Sequence, residues 1–117
     1  MESKDALLCL SALSQETRLE TFRLLVRHEP DGLAAGEIAR QLDVPQNTMS
    51  THLGILTRAG LLRPERQSRS IVYRAELDRL REVAVFLVKD CCGGRAEVCQ
   101  PLVADLLPCC PPEKAAP

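Results

Sequence analysis

At 117 residues the chain is long enough for one domain with a real core and too short for two. Aromatic residues make up only 3%, so the core has to be assembled from Leu, Val, Ile and Ala, which favours helices. A net charge of −1 excludes a protein coated in basic surface. No run of about 18 or more apolar residues occurs, which excludes a transmembrane helix, and no membrane partner is expected.

Glu2, Lys4, Asp5, Glu16 and Arg18 interrupt any signal-peptide core, so a cytoplasmic location is expected. In that reducing compartment six cysteines are not expected to form a disulfide framework.

Asp5 to Leu13 reads as a first helix, apolar nearly all round and therefore expected to be buried on more than one side. Ser14 is the expected N-cap of a second helix, from Gln15 to His28. Leu19, Phe22, Leu25 and Val26 form its buried stripe, and Glu29-Pro30-Asp31-Gly32 ends it. Leu33 is expected to pack back before the next element begins near Ala35.

From Gly36 to Leu62 two short amphipathic helices follow, with Ile38, Ala39 and Leu42 on one and Met49, Leu53 and Leu56 on the other. Pro45 stops the first of them and suits the opening position of the second, which ends at Ala59-Gly60 with Gly60 as a left-handed cap. The first two turns of that second helix carry Gln46, Asn47, Thr48, Ser50, Thr51 and His52 away from the apolar side. Amides and short hydroxyls there can read base edges in a major groove, while the helix N-terminus favours phosphate. A plain surface helix shows the same pattern, so the next segment matters.

Beyond Gly60 the period changes. Leu61–Arg66 and Arg69–Ala75 read as a β-hairpin turning at Gln67-Ser68, with Pro64 confining its strand to an edge. Between Gln46 and Ala75 five arginines oppose Glu65 alone, a local net charge of +4. Arg66 and Arg69 flank the hairpin tip, where they can reach a phosphate backbone or minor groove. Helix-turn-helix followed directly by a basic hairpin is a winged helix, and the combination is far more specific than either part. The fold class expected is mainly α, a winged helix-turn-helix with a two-stranded wing, and its partner is double-stranded operator DNA.

Glu76 to Asp90 is the final helix. Leu77, Leu80, Ala84 and Leu87 share one face, and Val83, Phe86 and Val88 extend the apolar surface. A chain this small covers one such face, so a homodimer through the first and last helices is expected. Residues 1–92 are read as the DNA-binding and dimerisation domain, and 93–117 as a Cys/Pro-rich tail with five prolines. One turn is expected at Leu102–Leu107, and disorder beyond Pro111.

Cys9 reads as a small buried hydrophobe. Cys91-Cys92, Cys99 and Cys109-Cys110 match no zinc-ribbon spacing, and a disulfide between adjacent cysteines is strained. Adjacent thiols with a third on a flexible segment can surround a soft ion, and trivalent arsenic or antimony takes three sulfurs on one side. Cys109 and Cys110 read equally as a second site, a spare ligand pair or part of an unordered tail. His28 and His52 are zinc ligands in principle, but His52 has a better use facing DNA. A thiol enzyme would need an activated cysteine in an anion-binding loop, and none precedes Cys91 or Cys109. Neither an enzyme nor an organic cofactor is expected.

Ser14-Gln15-Glu16-Thr17-Arg18-Leu19, Gly36-Glu37-Ile38-Ala39, the run from Asn47 to Leu53, Ala59-Gly60-Leu61 and Tyr73-Arg74 together resemble the ArsR family of metalloregulatory repressors. The resemblance covers about residues 5 to 90. It implies a homodimeric winged helix that binds operator DNA without metal and releases it on metal binding. The helix before the recognition helix lacks the Cys-x-Cys pair of one family group, and the last helix lacks the histidine of the zinc- and cobalt-sensing group. Cys91, Cys92 and Cys99 are similar to the arsenite site of a third group, which makes arsenite, with antimonite, the expected inducer. Ser68 stands at the hairpin tip where the family often has glycine. A thiol redox-sensing repressor is the alternative expectation.

Overall fold

The structure, a computed structural model, describes residues 1–89 and Pro101. Five helices and three strands follow in order: α1 (Ser3–Leu13), α2 (Glu16–Arg27), β1 (Leu33–Ala34), α3 (Ala35–Leu42), α4 (Gln46–Arg58), β2 (Leu62–Gln67), β3 (Ser70–Ala75) and α5 (Leu77–Lys89). Met1–Val83 form one unit. A second begins at Ala84, and the expected domain boundary between residues 92 and 93 lies outside the described residues.

α1 buries a single narrow face, Ala6, Cys9 and Ala12, whose small side chains let the helix lie close to the core. Leu7, Leu8 and Leu10 are 66%, 48% and 37% exposed, so burial on several sides does not hold within one chain. Cys9 is wholly buried as expected, and its Sγ–H donates to the Ala59 carbonyl at 3.3 Å. Burial pushes this thiol's pKa up, with the Arg79 guanidinium opposing the shift.

Only two residues separate α1 from α2. Ser14 is used to close α1, its N–H and hydroxyl both donating to the Ser11 carbonyl. The N-cap of α2 therefore falls to Gln15, whose Oε1 accepts from Arg18 N–H at 2.9 Å, rather than to Ser14. The buried face of α2 is Thr21, Phe22, Leu24 and Leu25, with Val26 partly buried. Leu19, expected inside, is 43% exposed, whereas Thr21 is tolerated inside because its hydroxyl donates to the Thr17 carbonyl at 2.7 Å.

Gly32 has φ +73°, and a Cβ there would come within 2.6 Å of the Tyr73 carbonyl. The close approach sets up β1, which pairs Leu33 with Tyr73 and Ala34 with Val72. Two residues are too few to show a period, which is why this strand is not legible in the sequence. α3 stops at Asp43, held at φ 56° in the left-handed region, two residues ahead of Pro45. Pro45 is the N-cap of α4, not its first helical residue, and its carbonyl accepts from Met49 N–H at 2.9 Å.

α4 ends as its sequence predicts. Gly60 sits at φ +83°, Leu61 N–H bonds the Leu56 carbonyl, and Gly60 N–H bonds the Thr57 carbonyl. Those two bonds are the Schellman arrangement, and the flanking Leu56 and Leu61 are both fully buried. The sheet order β1-β3-β2 places Pro64 on an edge strand, as expected. The register Gln67↔Ser70 puts the turn at Ser68-Arg69, one residue later than expected, with Ser68 at φ 57°. Ser68 thus takes the left-handed conformation that glycine adopts more cheaply.

The wing root is tied down by charge. Arg74 Nη2 bonds Glu29 Oε1 at 2.8 Å and Arg74 Nη1 bonds Glu65 Oε2 at 3.2 Å, joining β3 to the end of α2 and to β2. The guanidinium holds the Glu29 carboxyl below its ordinary value of 4.5, against an opposing contribution from burial. Because the folded value is depressed, the stabilisation is complete above the ordinary value and is lost as pH falls through the lowered one. Glu29→Gln is expected to lower the thermal midpoint at neutral pH and to flatten the acid limb of a stability–pH curve. In the core, Leu56→Ala is expected to cost about 2–5 kcal/mol in urea denaturation, because the residue has no solvent to collapse toward.

Candidate nucleic-acid interface

The interface follows from how α4 is seated. Met49, Leu53 and Leu56, spaced i, i+4 and i+7, are 1%, 1% and 0% exposed in the core shared with Leu25 and Ile38. α4 packs against α1, α2, α3 and β2, so it has one free side. That side carries Gln46, Asn47, Thr48, Ser50 and Thr51, all exposed, with His52 half-buried at its inner edge. The six expected reading residues therefore share one helix, but His52 differs from the rest in its surroundings.

No side chain caps α4 at Pro45, so its first-turn N–H groups, apart from that of Thr48, are open to an external acceptor. Asn47 Oδ1 accepts from Thr48 N–H at 2.8 Å, and the Thr51 hydroxyl leans back on the Asn47 carbonyl at 3.4 Å. Gln46 lies over the start of α3, close enough that a Cβ on Gly36 would sit 2.8 Å from its amide nitrogen. Gly36 thus makes room for a residue at the edge of the reading surface. On α3, Glu37 is occupied by Arg40 and Gln41, and Arg40 lowers its carboxyl pKa.

The basic strip is smaller in space than in sequence. Arg63 pairs with Glu65 at 3.3 Å and Glu76 at 3.4 Å, and Arg74 is committed to Glu29 and Glu65. Arg58, Arg66 and Arg69 are exposed and have no carboxylate partner among the described residues. The five arginines of this stretch thus divide into two that build the wing and three that are available to phosphate. Arg66 and Arg69 lie at the wing tip, on β2 and in the turn respectively.

Sequence reasoning passed over Arg18. Its Nε donates to the Ala12 carbonyl at 2.6 Å and its Nη1 lies 3.4 Å from His52 Nδ1, joining α1, α2 and α4. Burial and the nearby Arg18 charge lower the His52 pKa below its ordinary value of 6.5. A helical position three residues after an N-cap gave no signal of this role. Only the tertiary contact shows it.

Cys91, Cys92 and Cys99, the expected metalloid ligands, lie outside the described residues, as do Cys109, Cys110 and the tail features expected at Leu102–Leu107 and beyond Pro111. Among the described residues no group of three His, Cys, Asp or Glu side chains could hold a metal ion. No helix among them is long and apolar enough to cross a membrane.

A helix-turn-helix domain family matches residues 13–65 of the chain. The transcriptional activator HlyU of Vibrio cholerae is 31% identical over 71 residues, covering 61% of this chain, which spans 63% of that protein's length. The structure of an ArsR-like transcriptional regulator from Rhodococcus sp. RHA1 superposes with a TM-score of 0.68 at 30% identity, covering 86% of this chain and 89% of that one. A possible transcriptional regulator for arsenical resistance superposes with a TM-score of 0.60 at 25% identity, covering 82% and 93%. All three relatives are named as regulators of transcription, none as an enzyme. With its helix-turn-helix, its basic wing and this extent of likeness, the chain belongs to the ArsR-like family of winged-helix transcriptional regulators.

Proposed function

We propose that this regulator is an arsenic-responsive repressor that binds operator DNA as a homodimer and is released when trivalent arsenic or antimony binds Cys91, Cys92 and Cys99. The observation that carries the DNA half is the exposed polar edge of α4, together with wing arginines that have no carboxylate partner among the described residues. Amides and hydroxyls read base edges, and Arg58, Arg66 and Arg69 supply phosphate contacts. In this reading residues 1–92 form the DNA-binding and dimerisation domain and 93–117 the Cys/Pro-rich tail.

Dimerisation is supported by the leucines that α1 leaves outside: Leu7, Leu8 and Leu10 form an apolar surface that a second copy would cover together with the last helix. A two-fold dimer sets two α4 helices one DNA turn apart and so selects a palindromic site.

The inducer half is supported by the thiol arrangement in the sequence and by the likeness to a possible regulator for arsenical resistance. Cys9 is not counted among these ligands, because it is wholly buried in the core with its Sγ–H held by the Ala59 carbonyl. Release requires the metalloid to bind the DNA-incompetent arrangement more tightly than the DNA-bound one.

Two expectations test the two halves separately. Arg66→Ala and Arg69→Ala should each weaken binding to all duplexes and flatten the slope of log K against log salt by about 0.9 for each phosphate no longer neutralised. Unchanged slopes would remove the wing from the interface. For the inducer, fluorescence anisotropy of the reduced protein on DNA from upstream of its own gene should show arsenite weakening binding by about tenfold or more, a coupling of about 1.4 kcal/mol. Zinc should leave binding unchanged, and Cys91→Ser, Cys92→Ser or Cys99→Ser should abolish the response. Release by zinc, or by neither ion, would break the link between these cysteines and arsenic.

A further inference from the structure

We propose that Arg18 is a positioning residue that fixes the tautomer of His52, so that α4 presents the ring's Nε2–H as a hydrogen-bond donor to an acceptor atom on DNA. The inference rests on the reading of α4 as the DNA-reading helix.

A guanidinium restricts what can face it. Arginine remains charged and has donors only, so whatever nitrogen it meets must offer a lone pair. Arg18 is not a loose surface side chain. Its backbone N–H is held by Gln15 Oε1 at 2.9 Å, and its Nε by the Ala12 carbonyl at 2.6 Å. These two anchors, from the α1–α2 junction, leave Nη1 3.4 Å from His52 Nδ1. With Nδ1 accepting, the neutral imidazole must carry its proton on Nε2. Protonating both nitrogens would set an imidazolium against a guanidinium in a half-buried place, and the lowered pKa of His52 agrees with that cost.

The other nitrogen is the functional end. Nε2 has no hydrogen-bond partner among the described residues. It is also not sealed from solvent, because the only sealed and unpartnered side-chain nitrogen or oxygen among these residues is Thr57 Oγ1. A fixed donor on the second turn of α4, beside exposed Thr48 and Thr51, complements an acceptor. In DNA that is guanine O6, a purine N7, thymine O4 or a phosphate oxygen. Without Arg18 the ring would exchange between tautomers, and one of the two would offer a lone pair to a lone pair.

Two measurements test this. Long-range proton–nitrogen correlation NMR of the full-length reduced protein, above the usual imidazole titration range, should find His52 protonated on Nε2 alone. Arg18→Met, which keeps the apolar stem, should give a mixed tautomer signal and weaken DNA binding roughly threefold to tenfold, the worth of one hydrogen bond. His52→Gln, whose amide N–H2 reaches the place of Nε2, should bind nearly as well as the parent protein, whereas His52→Asn, which mimics Nδ1, should not. A loss confined to operator DNA would identify a base edge as the acceptor, and an equal loss on scrambled duplex a phosphate; both outcomes support the inference. An Nδ1–H ring in the parent protein, or equal binding by the Asn and Gln variants in a protein that still binds DNA, overturns it. If the parent protein binds no duplex at low salt, the DNA reading itself fails, and the contact proposed here fails with it even where the tautomer is as stated.

Discussion

The helix Gln46–Arg58 can bury only one side, and nearly everything else in the first unit follows from which side that is. Met49, Leu53 and Leu56 are each worth about 1.5–3 kcal/mol of burial, so turning α4 outward by half a revolution would forfeit several kcal/mol. The packing also reaches a polar group, with the Thr21 hydroxyl 3.7 Å from Met49 Sδ. The rotation of α4 about its own axis is therefore fixed by the core, and the polar edge faces out as a consequence, with only His52 at its inner edge held from another element, by Arg18. A reading surface built this way is rigid before it meets a ligand, which reduces the ordering cost of binding.

The ends of α4 are fixed as firmly as its face. At the start, Asp43 in the left-handed region turns the chain so that Val44 N–H still reaches the Ala39 carbonyl at 3.0 Å, and α4 leaves α3 at a set angle. At the end, the Ala59 carbonyl accepts from both Cys9 Sγ at 3.3 Å and Arg79 Nε at 3.1 Å, from α1 and the first turns of α5. Charge does comparable work in the wing. Glu29, Glu65 and Glu76 consume Arg74 and Arg63 at the root, and the tip keeps Arg66 and Arg69 for outside partners. The same residue type is structural at one end of a six-residue strand and available at the other, and only the carboxylates nearby decide which.

What is legible in the sequence is what depends on period and on chain-local chemistry. The stripe Met49, Leu53, Leu56, the cap at Gly60 and the edge position of Pro64 each express a local rule, and each is found. The misreadings have a common cause, which is competition that only three dimensions reveal. Ser14 could cap α2, but it is already closing α1. Leu19 fits a helical stripe, yet Thr21 takes the inner place because its hydroxyl satisfies itself on the helix backbone. α1 reads as buried all round because apolar content does not distinguish the core from a surface reserved for another molecule. The six polar residues of α4 follow from pattern, whereas Arg18, brought to His52 across 34 positions, does not. The metalloid ligands proposed at Cys91, Cys92 and Cys99 lie outside the described residues and rest on thiol chemistry and on the family resemblance.

If one edge of α4 and the tip of the wing together meet DNA, amide chemical shifts will register it residue by residue. The measurement is a titration of the nitrogen-15-labelled, reduced protein with the duplex from upstream of its own gene. The largest changes are expected over Gln46–His52 and at Ser68 and Arg69, with Arg18 among them and the outer face of α1 unmoved. Changes centred on α1 or α5, with the start of α4 silent, would contradict this placement of the DNA.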